Sequence, residues 1–235
     1  MLNNLKILAL IPARGGSKGI KDKNITLLHN SPLISYSITA ALHSKYVDDV
    51  VVTTDSEKIA QIAIHYGAEV PFMRPKELAE DHSTTLDAVI HAIETLDEMG
   101  RTYDVLMLLQ PTQPLRTAED IDLSLKRFIE QGRRALVSVS KVSDHPLLIR
   151  SIDKEGKLLK MMNISSTCRR QDMPEYYRVN GCIYINNISE IDKDTSFNDN
   201  PIPFIMPRSH SVDIDEPSDL YMAEYYLSFK RNEND

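Results

Sequence analysis

The chain has 235 residues, 42% hydrophobic and 26% charged, which is typical of a single globular core. Its formal net charge of -7 and its lack of tryptophan argue against a nucleic-acid binder, because that affinity depends on cations along the phosphate backbone. Two cysteines without metal-type spacing predict a reduced intracellular protein. No run approaches the roughly 20 apolar residues that cross a membrane, so we expect a cytoplasmic protein without a membrane partner.

Apolar runs alternate with amphipathic helical patterns over the first 140 residues. The runs, each predicted to be a strand buried on both faces, are Ile7 to Ile11, Val50 to Thr53, Val105 to Leu109 and Ala135 to Val139. The helical patterns cover Leu33 to His43, Glu57 to Tyr66, Thr85 to Met99 and Ala118 to Glu130, the last opened by a capping box of Thr117 and Asp120. This alternation predicts an α/β fold, a Rossmann-like core with a mainly parallel sheet flanked by helices.

The alternation breaks near Lys141. We interpret residues 141–180 as an arm inserted into a single domain that spans residues 1–235, with a hairpin through Leu147 to Ile152 and Lys157 to Met161. The core resumes with strands at Gly181 to Ile185 and Pro203 to Met206 and a closing helix from Ser218 to Phe229, begun by Pro217.

The most informative segment follows the first strand, from Pro12 to Asn24. It combines three glycines with four cations and has no acidic residue before Asp22, so its backbone can bend closely around an anion. Gly16-Ser17-Lys18 does not have the Walker A order, and the glycine spacing of the dinucleotide fingerprint does not occur. We therefore predict a polyphosphate cradle of a third kind; the alternative is an ordinary solvated loop.

Further polar residues follow predicted strand ends, where ligands bind in open α/β sheets: Asp55, Gln110 and Asp213. Asp213 and Asp215 alternate on an extended segment, so their carboxylates point the same way and suit Mg2+. The alternative is that Asp213 caps a turn and Asp215 the next helix. Capping of the helix at Glu57 explains Asp55 as well as ligand contact does.

Six motifs then occur together in a fixed order. They are the first loop, Arg74-Pro75 with Glu77-Leu78-Ala79, Leu109 to Arg116, Arg170 to Pro174, Asn180 to Ile185, and Val212 to Asp215. With them, nearly the whole chain closely resembles the acylneuraminate cytidylyltransferases, also called CMP-sialic acid synthetases. The resemblance implies a nucleotide-diphospho-sugar transferase fold with a dimerisation arm. It also implies transfer of CMP from CTP to the anomeric hydroxyl of an acylated nonulosonic acid, with release of pyrophosphate and with Mg2+, or Mn2+ in its place, as cofactor.

The resemblance also implies roles for single residues. The nucleotide contacts are Arg14, Gly15, Gly16, Ser17, Lys23, Asn24, Arg74 and Thr85, of which Arg14 and Lys23 are also catalytic. The sugar contacts are Gln110, Arg170, Arg178 and Tyr184, the two arginines coming from the neighbouring chain's arm in a homodimer. Asp213 and Asp215 hold the metal, and Asp213 is the candidate acceptor of the hydroxyl proton, directly or through a metal-bound water.

Without the resemblance, other interpretations of four of these residues are open. The ordinary solubility of a polar arm explains Arg170 and Arg178. A surface ion pair with Glu69 or Glu77 explains Arg74, and a helix cap explains Thr85.

The acceptor sugar stays open. Gln113 stands where the family more often has serine, close enough to Gln110 to alter the sugar pocket, and Leu148 where some members have lysine. N-acetylneuraminic acid is the leading acceptor and legionaminic acid its rival; pseudaminic acid and Kdo are alternatives, although Kdo lacks an N-acyl group. A non-catalytic nucleotide sensor is an alternative of another class, and we expect a sensor to have lost the metal carboxylates, which are present here.

Overall fold

The structure is a computed structural model that describes residues 2, 4–17, 19–162, 169 and 173–232, with the backbone alone for residues 229–232. Its strands are β1 (Ile7–Pro12), β2 (Leu27–Leu28), β3 (Ser31–Pro32), β4 (Asp49–Thr53), β5 (Val105–Leu108), β6 (Leu136–Lys141), β7 (Arg150–Ile152), β8 (Leu158–Lys160), β9 (Tyr177–Asn187) and β10 (Ile202–Ile205). Its α-helices are α1 (Leu33–Leu42), α2 (Glu57–His65), α3 (Thr85–Glu98), α4 (Ala118–Glu130) and α5 (Pro217–Asn232).

Six strands form the central sheet, in the order β10-β6-β9-β5-β1-β4. All neighbouring pairs are parallel except the two that include β9. Alternate residues of β1 enter two separate cores: Ile7 packs in the core covered by α1, α2 and α4, and Leu8 in the core covered by α3. The predicted α/β fold, a mainly parallel sheet flanked by helices, is therefore confirmed.

Strand β9 runs against its neighbours, so its amino end lies at the sheet edge where the carboxyl ends of β1, β4 and β5 meet. Its register against β6 shifts between the pairs Val137–Tyr184 and Val139–Val179. The extra residues form a bulge in which Gly181 has a φ of 75°, a conformation that glycine adopts without steric cost. The hydroxyl of Ser138 accepts the amide hydrogen of Ile183 there at 2.7 Å, so the backbone polar group that the bulge removes from the ladder is still paired.

The helices begin where local capping chemistry places them. Thr117 and Asp120 form the predicted capping box of α4, and Thr84 and Asp87 form a second box at the start of α3. Both boxes pair backbone amides of the first turn that the helix itself leaves without acceptors.

The segment between β6 and β9 contains the predicted hairpin, with β7 and β8 paired through Arg150–Lys160 and Ile152–Leu158. Apolar side chains of this hairpin face solvent, Ile152 being 70% and Leu158 69% exposed. Strand β9 already begins at Tyr177, opposite Lys141, so residues 177–180 belong to the central sheet. Among the described residues, no helix is long and apolar enough to cross a membrane.

Candidate active site

A cleft of about 680 Å³ opens at the carboxyl edge of β1, β4 and β5. It is lined by many of the residues that the sequence analysis singled out for nucleotide, metal or sugar contacts: Arg14, Ser17, Lys23, Asn24, Arg74, Thr85, Gln110, Asp213 and Asp215. Gly15 and Gly16 belong to the loop that forms one wall, although they do not line the cleft themselves. The fold thus gathers side chains that lie up to two hundred residues apart in the chain.

The glycine-rich loop is held in place by its own side chains and by Asp55. The Gly15 amide donates to Asp55 Oδ1 at 2.8 Å, and Asn24 Nδ2 donates to the Arg14 carbonyl at 2.9 Å. A Cβ on Gly19 would lie 2.5 Å from the Asp215 carbonyl oxygen, so glycine is needed for the loop to approach that segment. The cradle and the Asp213–Asp215 segment are therefore packed directly against each other.

Asp55 is a loop-positioning residue that the sequence analysis left undecided. Ser56, one residue later, caps α2 by accepting the Ile59 amide at 3.4 Å, so helix capping is not the role of Asp55. Its position after a strand end indicated a residue of the site. The structure shows that Asp55 binds a backbone amide of the glycine-rich loop.

Two cations of the cradle are held by carboxylates across the cleft. Arg14 Nη1 lies 3.3 Å from Asp81 Oδ1, and Lys23 Nζ lies 2.8 Å from Asp215 Oδ1. The side chain of Lys23 is 15% exposed and that of Asp215 is 71% exposed, so the pair joins a sheltered cation to an open carboxylate.

Arg74 is buried beneath this cleft. Its Nη2 donates to the Thr53 carbonyl and its Nε to the Thr53 hydroxyl at 3.3 Å. Burial lowers the pKa of Arg74 to about 10, a value at which the guanidinium is still charged at neutral pH. The interpretation of Arg74 as a surface residue paired with Glu69 or Glu77 is wrong, because Arg74 is buried and its guanidinium binds Thr53. Glu69 binds Arg101 at 2.7 Å.

Thr85 lines the cleft from the first turn of α3. The cap of this helix is Thr84, whose hydroxyl accepts the Asp87 amide at 3.1 Å, so the helix-cap interpretation of Thr85 is wrong. The Thr85 side chain is exposed and leaves this face of the helix available to a ligand.

The two carboxylates differ in environment. Asp213 is half-buried, and its Oδ1 is buried without a hydrogen-bond partner in the part of the chain that the structure describes. Burial raises the pKa of Asp213, and the charge of Asp215 raises it further, against the lowering effect of Thr112 and Lys23. An unpartnered buried carboxylate oxygen beside a second, open carboxylate suits a hard divalent cation.

Asp213 and Asp215 would supply only two protein ligands to a metal ion. No group of three or more His, Cys, Asp or Glu side chains within the described ranges is arranged to hold a metal ion. Mg2+ is commonly held by one or two carboxylates together with substrate phosphates and water, so the Asp213 and Asp215 pair fits Mg2+ better than a metal that needs a full protein cage.

The residues predicted for the sugar lie in different places. Gln110 lines the cleft at the end of β5. Arg178 is exposed on β9, where its Nη2 donates to the Ser211 carbonyl at 3.4 Å, two residues from Asp213. Tyr184 is buried, does not line the cleft, and donates its hydroxyl hydrogen to Asn198 Oδ1 at 3.0 Å. Arg170 lies outside the described residues.

Comparison with solved structures shows a shared fold. The fold superposes with a TM-score of 0.69 on a CMP:2-keto-3-deoxy-manno-octonic acid synthetase complexed with CTP, at 17% identity, covering 96% of this chain and 99% of that one. It superposes with a TM-score of 0.63 on a 4-diphosphocytidyl-2C-methyl-D-erythritol synthase, at 15% identity, covering 95% and 100% of the two chains. Both superpositions show that this chain shares the fold of these two proteins over nearly its whole length.

Sequence comparison shows the family of the chain. The chain belongs to the cytidylyltransferase family, whose model matches residues 8–198. It is 39% identical over 232 residues to a CMP-N,N'-diacetyllegionaminic acid synthase of Legionella pneumophila, covering 97% of this chain and 98% of that protein. It is 33% identical to a pseudaminic acid cytidylyltransferase of Campylobacter jejuni, covering 94% and 95%. It is 35% identical to an N-acylneuraminate cytidylyltransferase of Escherichia coli, covering 93% of this chain and 51% of that protein. The resemblance drawn from the six motifs is confirmed.

Proposed function

We propose that the protein transfers CMP from CTP to the anomeric hydroxyl of an acylated nonulosonic acid and releases pyrophosphate. The observation that carries the proposal is the arrangement of the cleft, in which the cations of the cradle face the carboxylates of Asp213 and Asp215. Membership of the cytidylyltransferase family also supports the proposal, as do relatives that are named for legionaminic, pseudaminic and N-acylneuraminic acids.

In this reaction the sugar hydroxyl attacks the α-phosphorus of CTP. A new bond joins the sugar oxygen to phosphorus, the bond to the oxygen that bridges the α- and β-phosphates breaks, and the electron pair leaves with pyrophosphate. Arg14 and Lys23 exchange their carboxylate partners for the departing phosphates, whose growing charge they stabilise. Catalysis therefore consists largely of charge stabilisation and positioning.

The hydroxyl must lose a proton as it attacks. We assign this proton to Asp213, because burial raises the pKa of the Asp213 carboxyl and its Oδ1 has no partner among the described residues. Asp213 and Asp215 would hold Mg2+, for which Mn2+ can substitute, and the ion would neutralise charge on the phosphates.

For the acceptor, the comparisons favour a legionaminic-type acid over N-acetylneuraminic acid, the leading acceptor on the motifs alone. The support is the 39% identity over nearly the full length of the Legionella pneumophila protein, against 35% for the Escherichia coli protein. The sugar contacts of this proposal are Gln110, Arg178, Arg170 and Tyr184. Arg178 has the exposure that carboxylate binding requires, whereas Tyr184 needs a rearrangement to reach a ligand.

A panel of acceptors tests the proposal. With CTP and Mg2+, we expect pyrophosphate to appear when a nonulosonic acid is also supplied, with kcat/KM highest for N,N'-diacetyllegionaminic acid among that acid, N-acetylneuraminic acid, pseudaminic acid and Kdo. Omission of CTP, metal or acceptor is the control. Tight CTP binding without pyrophosphate for any acceptor would instead indicate a nucleotide sensor, and a preference for Kdo would exclude the acylated acceptor.

We also propose a homodimer in which the arm of each chain contributes to the neighbouring site. The exposed apolar side chains of the β7–β8 hairpin, Leu158 and Ile152 among them, supply a surface that a second copy would cover. Sedimentation equilibrium should therefore give twice the chain mass, and Ile152→Asp with Leu158→Asp should lower it to that of the monomer. A monomeric mass for the unaltered protein contradicts this assembly.

A further inference from the structure

Gln113 is a buried glutamine whose side-chain NH2 group has no hydrogen-bond acceptor in the described part of the chain. The side chain is fully buried, and its Oε1 accepts a hydrogen bond from Cys182 Sγ at 3.1 Å. Its Nε2 is also buried and finds no acceptor among the residues that the structure describes. An unpaired buried donor costs free energy, so its presence calls for a partner that the free protein does not supply.

The side chains of Gln110 and Gln113 both approach Gly181 on the side where a Cβ would stand. A Cβ on Gly181 would lie 2.7 Å from Gln110 Oε1 and 3.4 Å from Gln113 Nε2. Gly181 therefore leaves room for an acceptor of one amide and a donor of the other on the same side of the β9 bulge. A residue with a side chain at this position would separate them.

The main chain beneath Gln110 is fixed by a buried polar network. Ser37 Oγ donates to the Gln110 carbonyl at 3.2 Å, and Arg116 Nη2 donates to Ser37 Oγ at 2.6 Å. Arg116 Nη1 donates to the Cys182 carbonyl at 2.6 Å, which ties the same guanidinium to the bulge. The main-chain amide of Gln113 donates to the same Gln110 carbonyl at 3.3 Å, so the main chain of both glutamines is hydrogen-bonded and their side-chain torsions are the simplest freedom left to the two amides.

We propose that Gln113 is a positioning residue for Gln110, an inference that rests on the proposed function. When the acceptor sugar enters, Gln113 Nε2 donates to Gln110 Oε1. The Gln110 amide is then oriented with its NH2 group toward the cleft, where it donates to an oxygen of the sugar. Gln113 thereby sets which end of the Gln110 amide the acceptor meets, without contacting the acceptor.

Replacement of Gln113 by methionine, which keeps the volume and removes the donor, tests this role. We expect KM for the acceptor to rise about tenfold, the effect of one lost hydrogen bond, with kcat and KM for CTP near the wild-type values. In a Gln110→Ala background the same substitution should add no further increase, because the two residues act as one unit. Gln113→Leu, of similar volume, serves as a second variant, and Met107→Leu, buried on β5, is the packing control.

Three outcomes would overturn the inference. They are an unchanged acceptor KM in both variants, additive effects with Gln110→Ala, and a loss of CTP-induced thermal stabilisation that would mark Gln113 as a packing residue. A wild-type protein that releases no pyrophosphate with any acceptor but is stabilised by CTP would instead contradict the proposed function, so the two failures are distinguishable.

Discussion

Asp215→Ala should lower kcat by at least about 10²-fold, the scale for removal of one electrostatic stabiliser from an active site. The substitution removes the open member of the carboxylate pair and leaves Lys23 without its partner at 2.8 Å. Asp213, whose Oδ1 has no hydrogen-bond partner among the described residues, cannot hold a divalent cation alone with the same affinity. The measurement is kcat at saturating CTP and acceptor over a range of Mg2+ concentrations.

Two further measurements separate metal binding from a general loss of charge. Mg2+ added with CTP should raise the melting temperature of the wild type, and this increment should be lost in Asp215→Ala. Asp97→Asn, which removes an exposed charge from α3 far from the cleft, should keep both the turnover and the increment. Turnover near the wild-type value in Asp215→Ala would refute the metal assignment.

Lys23→Met should lower kcat/KM for CTP by about 10²-fold, because a charge-stabilising contact to the leaving phosphates is lost. Lys23 is suited to that contact: its side chain is 15% exposed, and its Nζ is already directed to a carboxylate in the cleft. Interactions with a charge are stronger in such a sheltered position than on an open surface. The measurement is initial velocity against CTP concentration at saturating acceptor.

Lys21 offers a matched control, since it lies two residues away in the same loop, is exposed, and does not line the cleft. Lys21→Met removes the same charge from the loop, so any effect of net charge alone appears in both variants. A similar loss of kcat/KM in Lys21→Met and Lys23→Met would mean that the loop attracts CTP by its overall charge, and that Lys23 has no specific contact.

Much of the core could be predicted because its signals are local. The apolar runs at β1, β4, β5 and β6 and the capping box of Thr117 and Asp120 depend on residues that are neighbours in the chain. The capping of α3 by Thr84 was missed by one residue, since two adjacent threonines offer equivalent hydroxyls and the helical geometry selects the first. Helix boundaries of this kind depend on backbone angles that composition does not specify.

The site residues that sequence reasoning missed depend on distant partners. Asp55 stands after a strand end, but its role is to accept the Gly15 amide. Asp81 belongs to none of the sequence motifs, and only its contact with Arg14 in the structure places it in the site. Arg74 was open to a surface interpretation until its burial against Thr53 was known. In each case the deciding contact joins segments that are 20 or more residues apart.

By itself, the sequence determined the class of fold and the family, because periodicity and ordered motifs are properties of the chain. The tertiary structure alone decided the antiparallel course of β9, the bulge at Gly181 and the approach of Gln110 and Gln113 to the same side of that bulge. Strand register and side-chain convergence are set by burial against partners far along the chain, and local composition carries little information about them.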